Sequence, residues 1–175
     1  MSAAPATAAT RLVLEDFFTG WTRAWGAFQD RFGTPRQRFR ADVHGAWDDA
    51  AQTLTLTERF HDLGAGADER VWVVEKLADG VYRGSAGDVV GTADIRTTEA
   101  GAVHLSYRLR VPIAGRTWAL TFDDWMIRVD AGVLLNRATV SKMGVTLGTA
   151  VTFFTRTDAP PDAAITPPPG DAASA

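Results

Sequence analysis

The sequence has no cysteine among its 175 residues. This absence excludes a disulfide-stapled scaffold, a thiolate zinc site, an iron–sulfur cluster and a cysteine nucleophile. No apolar run approaches the roughly 18 residues that a membrane-spanning helix requires, so no transmembrane segment is expected. The apolar content of 46% is enough for the core of one domain.

A large net charge is also missing. The formal net charge is −3, and all of it belongs to residues 158–175, which contain Asp158, Asp162, Asp171 and no basic residue. The rest of the chain is formally neutral and has no basic cluster. Nucleic acid is therefore not expected as a partner.

Both ends of the chain are poor in large apolar residues. Residues 1–10 have neither the basic region nor the apolar run of a secretory signal, so the protein as written is expected in the cytoplasm. Residues 158–175 contain five of the eight prolines and one large apolar residue, Ile165. We predict a flexible segment at 1–11, one folded domain at 12–157 and a disordered tail at 158–175.

The motifs that would identify an active site are absent. His44, His61 and His104 show no HxH or HExxH spacing, and no acidic cluster matches a calcium loop. There is no GxSxG nucleophile motif and no GxxxxGK or GxGxxG phosphate loop. We therefore expect no metal and no cofactor.

Alternation of apolar and polar residues dominates the body of the chain. Every odd position of 103–111 is apolar and every even position is polar or charged, and 38–47 and 117–122 alternate similarly. This two-residue period is typical of β-strands with one buried face and one solvent-exposed face. Glycine-containing turns, such as Asp79-Gly80 and Ala114-Gly115, separate the runs. The only helix candidate is a single turn at 14–19 that would plug one end.

The pattern predicts an all-β fold of about nine or ten antiparallel strands. A sheet of this size must close or fold over to hide its edges. An up-and-down barrel of this size encloses side chains or one small ligand, and it is the preferred prediction. A two-sheet β-sandwich is the alternative.

The apolar phase changes within 118–129. Apolar residues occupy even positions through Phe122 and odd positions from Trp125 to Val129. We predict that a β-bulge or a tight bend near Asp123-Asp124 absorbs one extra residue. Either arrangement would direct one carboxylate inward, and the alternative is a corner with both carboxylates in water.

Two carboxylates are candidates for the interior, namely Glu58, on the apolar phase of its strand, and Asp124. A buried carboxylate requires a cation or hydrogen bonds, and Arg137 is the predicted partner. The group would form either a structural ion pair or the acid–base residues of an enzyme.

Aromatic residues are abundant, with six tryptophans. Trp21, Trp25 and Gln29 are four apart, so on a strand they share a face. Rings with few polar groups are typical of an apolar ligand pocket, although rings also simply fill barrels.

Five segments resemble a bacterial family known as domain-of-unknown-function family 3833. The segments are 14–20, 24–33, 87–93, 122–126 and 136–144, and the match runs from about residue 12 to residue 154. The matching polar positions are Asp16, Gln29, Asp30, Arg31, Asp88, Asp123, Asp124, Asn136, Arg137, Ser141 and Lys142.

The resemblance implies a link to modified membrane fatty acids. Genes that encode members of the family often lie beside genes for cyclopropane-fatty-acid-synthase-like methyltransferases and flavin-dependent oxidoreductases. Many members resemble lipoproteins with a signal sequence and a lipid-bearing cysteine, features that this sequence does not show. The family has no established activity, so no catalytic residue is carried over.

Together, the residues and the resemblance predict a lipocalin-like barrel that binds an apolar or fatty-acyl small molecule. Trp25, Trp118 and Trp125 would line the cavity, and Arg137 or Lys142 would meet a carboxylate head. The other predicted ligand contacts are Gln29, Asp124 and Asn136.

Two alternative functions stay open. One is an enzyme acting on a lipid through Glu58 or Asp124. The other is an accessory protein associated with membrane-lipid-modifying enzymes, which predicts a filled barrel and an apolar surface patch.

Overall fold

The computed structural model describes residues 11–61 and 69–158. The predicted flexible N-terminal segment, apart from Arg11, and the predicted tail beyond Asp158 lie outside these residues. The elements are α1 (Leu14–Phe18), β1 (Gly20–Asp30), β2 (Pro35–Asp48), β3 (Thr53–Phe60), β4 (Glu69–Ala78), β5 (Val81–Ser85), β6 (Ala93–Thr97), β7 (Val103–Ile113), β8 (Arg116–Asp130), β9 (Val133–Lys142) and β10 (Val145–Thr157). Among the described residues, no helix has the length and apolar character needed to cross a membrane.

The ten strands close into a single antiparallel barrel. Each strand pairs with its neighbour in the chain, and β1 pairs with β10 to close the ring. Closure gives each of the ten described strands a neighbour on both sides, so the barrel has no terminal edge strand. The predicted up-and-down barrel is confirmed, and the sandwich alternative is wrong.

Side chains alternate between the barrel interior and its outer face. On β7, Val103, Leu105 and Leu109 are buried in the core, while Ser106 and Arg108 between them are exposed. The same alternation holds along the other long strands because successive residues of a strand point to opposite faces. Even positions of β8, β9 and β10 point inward.

The short helix α1 closes one end of the barrel, as predicted for the segment 14–19. Phe17 and Phe18 are buried there, and the Phe18 ring meets Phe154 edge-on at 5.5 Å. Burial would raise the pKa of Glu15, but hydrogen bonds from Lys76 and Tyr82 outweigh it and lower that pKa. This end is therefore packed, and its one buried carboxylate is satisfied.

The predicted bulge or tight bend at Asp123-Asp124 is wrong. Strand β8 pairs with β7 in unbroken register from Arg116 to Met126, and its register with β9 shifts only between Arg128 and Asp130. The apolar phase changes because the outer face of β8 becomes apolar beyond Asp124. The backbone itself continues without an extra residue.

Candidate functional site

The end of the barrel opposite α1 is less tightly filled. The connections 31–34, 86–92, 114–115 and 143–144 lie at this end. Inward-facing Phe39, Phe60, Tyr107 and Phe122 here remain partly accessible to solvent, whereas the side chains around α1 are almost fully buried. We call the interior at this end the open half.

An ion triad lies inside the open half. Arg70 on β4 faces Glu58 on β3, and the Arg70 Nη1 to Glu58 Oε2 distance is 3.5 Å. Arg70 Nη2 lies 2.8 Å from Asp88 Oδ2, and Arg70 Nε also donates to that carboxylate. Burial raises the pKa of Glu58 even though Arg70 opposes the shift. Burial would lower the pKa of Arg70, but the two carboxylates raise it, so the cation is firmly held.

A second polar group lies deeper, at Asp124 on β8. Its side chain is 4% exposed, and Oδ2 accepts hydrogen bonds from Asn136 Nδ2 at 3.1 Å and from the Tyr107 hydroxyl at 3.3 Å. Burial raises the pKa of Asp124 to about 6, although these two hydrogen bonds act in the opposite direction. We call Asp124 and Asn136 the polar pair.

The polar pair has unused hydrogen-bonding capacity. Asp124 Oδ1 and Asn136 Oδ1 are both buried, and neither has a hydrogen-bond partner among the described residues. Buried acceptors are normally satisfied in folded proteins. These two oxygens are therefore the features of the interior that most directly point to a missing donor.

Aromatic rings connect the triad to the polar pair. The Tyr107 ring stacks on the Phe122 ring with centroids 5.3 Å apart. The Trp72 ring meets the Tyr107 ring edge-on, with centroids 5.4 Å apart. The Arg70 guanidinium lies 5.3 Å from the Phe60 ring centroid. Burial and the nearby Asp124 raise the pKa of Tyr107 well above its usual value, so its hydroxyl stays a donor.

Small side chains flank the polar pair on the inner wall. Ala138 is in register with Asp124, and Ala150 is in register with Ala138. Thr152 on β10 is in register with Asn136, and Gly26 on β1 is in register with Thr152. The Phe39 ring already fills the space beside Gly26, so the small side chains that border Asp124 are Ala138 and Ala150.

Of the eight predicted ligand contacts, the structure brings four together in two pairs. Asp124 and Asn136 form the polar pair inside the barrel. Lys142 lies over the Trp118 ring with its Nζ 3.0 Å from the centroid, at the strand ends that border the open half.

The other four predicted contacts lie on the outer face, so their placement in the cavity was wrong. Trp25 is 41% and Trp125 40% exposed, and Gln29 and Arg137 are also exposed. They occupy positions of β1, β8 and β9 whose neighbours in the chain point inward. Arg137 therefore cannot pair with either inward carboxylate, and it faces Trp125 across the outer surface instead.

Trp25 and Trp125 belong to an apolar patch on the outer face of the barrel, which we call the outer wall. Trp25, Phe153, Leu135 and Ile127 are in direct register across β1, β10, β9 and β8. Phe153 is 47% and Ile127 48% exposed. The accessory-protein alternative predicted such a patch.

Periodicity missed Arg70, Asp88 and Tyr107, although Asp88 is among the polar positions that match the resembled family. Tyr107 was detectable as the one residue with a polar group on the apolar phase of 103–111. Arg70 was not, because Val71 and Val73 make the opposite phase of β4 equally apolar. Asp88 lies in a connection, where periodicity carries no information.

A shallow depression also lies outside the barrel, on β1, β2 and β3. Its lining residues are Trp21, Asp42, His44, Thr57 and Arg59. The carboxylate there is already paired, since Asp42 lies 3.3 Å from Arg23 and 2.6 Å from His61. Within residues 11–61 and 69–158, no group of three or more metal-ligating side chains occurs.

Solved structures with the same fold are known. The S-type phycobiliprotein lyase CPES from Guillardia theta superposes with a TM-score of 0.59 and 11% identity, covering 85% of this chain and 95% of that one. A protein of unknown function from the DUF3598 family of Nostoc punctiforme gives a TM-score of 0.63 and 13% identity. That match covers 89% of this chain and 53% of the other, so this chain spans about half its length.

These likenesses establish a lipocalin-like fold and nothing about the ligand, because identity is low. No curated protein matches the chain in sequence. A family model described as "Protein of unknown function (DUF3833)" matches residues 3–156, which is most of the chain, and the chain belongs to this family.

Proposed function

We propose that the protein binds one amphipathic small molecule in the open half of its barrel. The observation that carries the proposal is the contrast between the two ends of the interior. Side chains around α1 are almost fully buried, while Tyr107, Phe122 and Phe60 stay partly accessible although they face inward. Rings beside a few converging polar groups are typical of small-molecule sites.

A compound with a long acyl or alkyl chain is the ligand class we propose. The apolar chain would pack on Trp72, Tyr107 and Phe122, where the Tyr107 ring contacts each of the other two. The family resemblance to proteins linked with modified fatty acids supports the same class. Association with membrane-lipid enzymes remains part of the proposal and has no separate structural support.

The test is a titration of tryptophan fluorescence with ten-carbon acids, alcohols and amines below their critical micelle concentrations. Trp72 lies inside the barrel and Trp25 outside. We expect a saturable change that persists in Trp25→Phe and is lost in Trp72→Phe, with a raised Tm for the wild type. No saturable change together with an unaltered Tm would overturn the proposal, and so would a signal that only Trp25→Phe removes.

An enzyme acting on a lipid is the second candidate, because Asp124 has a pKa of about 6, which suits an acid–base group near neutral pH. Its cationic neighbour would be Arg70 rather than Arg137. Mass spectrometry of the compound recovered from each titration separates the two functions. A binder returns it with unchanged mass, and an enzyme converts it.

A further inference from the structure

We propose that the polar end of the ligand is a hydrogen-bond donor, such as an ammonium or hydroxyl group, and that Asp124 and Asn136 receive it. This inference rests on the proposed function, because it assigns the head group of the same ligand. It replaces the carboxylate head that the sequence predicted for this site.

The first argument is the hydrogen-bonding state of the polar pair. Asn136 Nδ2 donates to Asp124 Oδ2, which fixes the orientation of the amide and turns its Oδ1 away from the carboxylate. The Tyr107 hydroxyl donates to the same Asp124 oxygen. The Tyr107 hydroxyl hydrogen and one N–H of Asn136 are thus engaged with Asp124 Oδ2, and the two buried atoms of the pair that lack any partner are both acceptors. An acceptor is satisfied only by a donor.

The second argument is the charge that the described residues present to the open half. Glu58 and Asp88 share the single cation Arg70, which leaves one excess negative charge before Asp124 is counted. Lys142, over the Trp118 ring at the border of this region, offsets that charge, and Asp124, ionised at pH 8, restores an excess of one negative charge beside the polar pair. A carboxylate head would therefore meet net repulsion, while a cation or a neutral donor would not.

The third argument is space beside the two acceptors. The positions next to Asp124 along the inner wall are Ala138 and Ala150. A small head group fits against methyl side chains, whereas a ring at either position would cover the acceptors. The two acceptors are buried in the free protein, so a head group would reach them by displacing the small side chains on this side of the pair.

The test compares compounds that share a decyl chain and differ in the head. Decylamine, decanol, decanoate and decyltrimethylammonium are titrated at pH 8, where Asp124, with a pKa of about 6, is ionised in the free protein. We expect decylamine to bind at least about tenfold more tightly than decanoate. The trimethylammonium compound carries the charge without a donor and is expected to bind more weakly than decylamine.

Variants test which residues recognise the head group of the ligand. Asp124→Asn removes the charge with little change of shape, and Asn136→Leu removes the amide oxygen. Each is expected to reduce the preference for decylamine over decanoate while decanol still binds. Arg137→Gln, on the outer wall, is the matched control and is expected to leave the preference unchanged.

Each outcome decides one question. If the four compounds bind equally well, or decanoate binds most tightly, the donor-head inference is wrong and the proposed function stands. If no decyl compound binds, the proposed function itself fails. If an Asp124 or Asn136 variant does not fold, the head-group series on the wild type still gives the answer.

Discussion

Asp124 is the residue whose chemistry depends most strongly on the fold. Burial penalises its ionised form and raises its pKa from 3.8 to about 6, against the hydrogen bonds that Asn136 and Tyr107 donate to it. A carboxyl group with a raised folded-state pKa stabilises the fold while it is protonated. Its contribution is complete below pH 3.8 and is lost as the pH rises through 6.

The pH dependence of stability therefore predicts a specific effect of Asp124→Asn. The free energy of unfolding of the variant, relative to the wild type, is expected to rise between pH 4 and pH 7 by roughly 2–3 kcal/mol. Urea unfolding at a series of pH values measures this difference. Asp94→Asn, at an exposed position of β6 away from Asp124, is the control and is expected to retain the wild-type pH profile. If the free energies of unfolding of the wild type and of Asp124→Asn change with pH in parallel, the raised pKa of Asp124 is contradicted.

At the scale of elements, α1 makes one backbone contact with β2 that only glycine permits. The carbonyl oxygen of Phe18 lies against the Cα of Gly45 on β2, and a Cβ at that position would overlap it. The helix has only five residues and no side-chain N-cap, so packing against the barrel must hold it in place. Glycine at position 45 is what lets the helix reach the barrel end.

Gly45→Ala is therefore expected to destabilise the protein by about 1–3 kcal/mol, because the plug must shift or the strand must bend. Gly132→Ala is the matched control, since the nearest atom to a Cβ there is 3.8 Å away. Removing a glycine from a position with room for a side chain is expected to be neutral or mildly stabilising. Equal effects of the two substitutions in chemical unfolding would show that the contact between Phe18 and Gly45 has no energetic importance.

At the scale of the whole molecule, alternation identified the strands and the barrel but not always the inner face. The rule that apolar means inward holds for β7, whose outer face is polar. It fails where the outside is apolar too, as on β8 beyond Asp124 and on β4 around Val71 and Val73. For this reason Trp25 and Trp125 were assigned to the cavity, and Arg70 was not.

For the candidate site, the sequence identified the two inward carboxylates but not their partners. Glu58 was found because it is a charged residue on an inward phase, and Asp124 was found through a phase change that was attributed to a bulge or a bend. Both do face the interior, although the bulge does not exist. Their partners depend on strand register, which a single sequence does not specify across a ring of ten strands. Arg70 and Asn136 occupy the roles that sequence reasoning gave to Arg137.

The central claim is that a small molecule occupies the open half, and filling that space tests it most directly. Ala150 faces inward beside Ala138, while Val151, the next residue, faces outward toward Arg137. Ala150→Phe would place a ring next to the polar pair, and Val151→Phe would add the same ring to the outer wall. Circular dichroism and urea unfolding establish that both variants are folded before binding is compared.

The measurement is the affinity of each variant for decylamine, determined by calorimetry. We predict that Ala150→Phe lowers the affinity at least about tenfold, because the ring takes the space of the ligand. Val151→Phe is predicted to bind as the wild type does. Unchanged affinity in Ala150→Phe with reduced affinity in Val151→Phe would place the ligand on the outer wall and contradict the account.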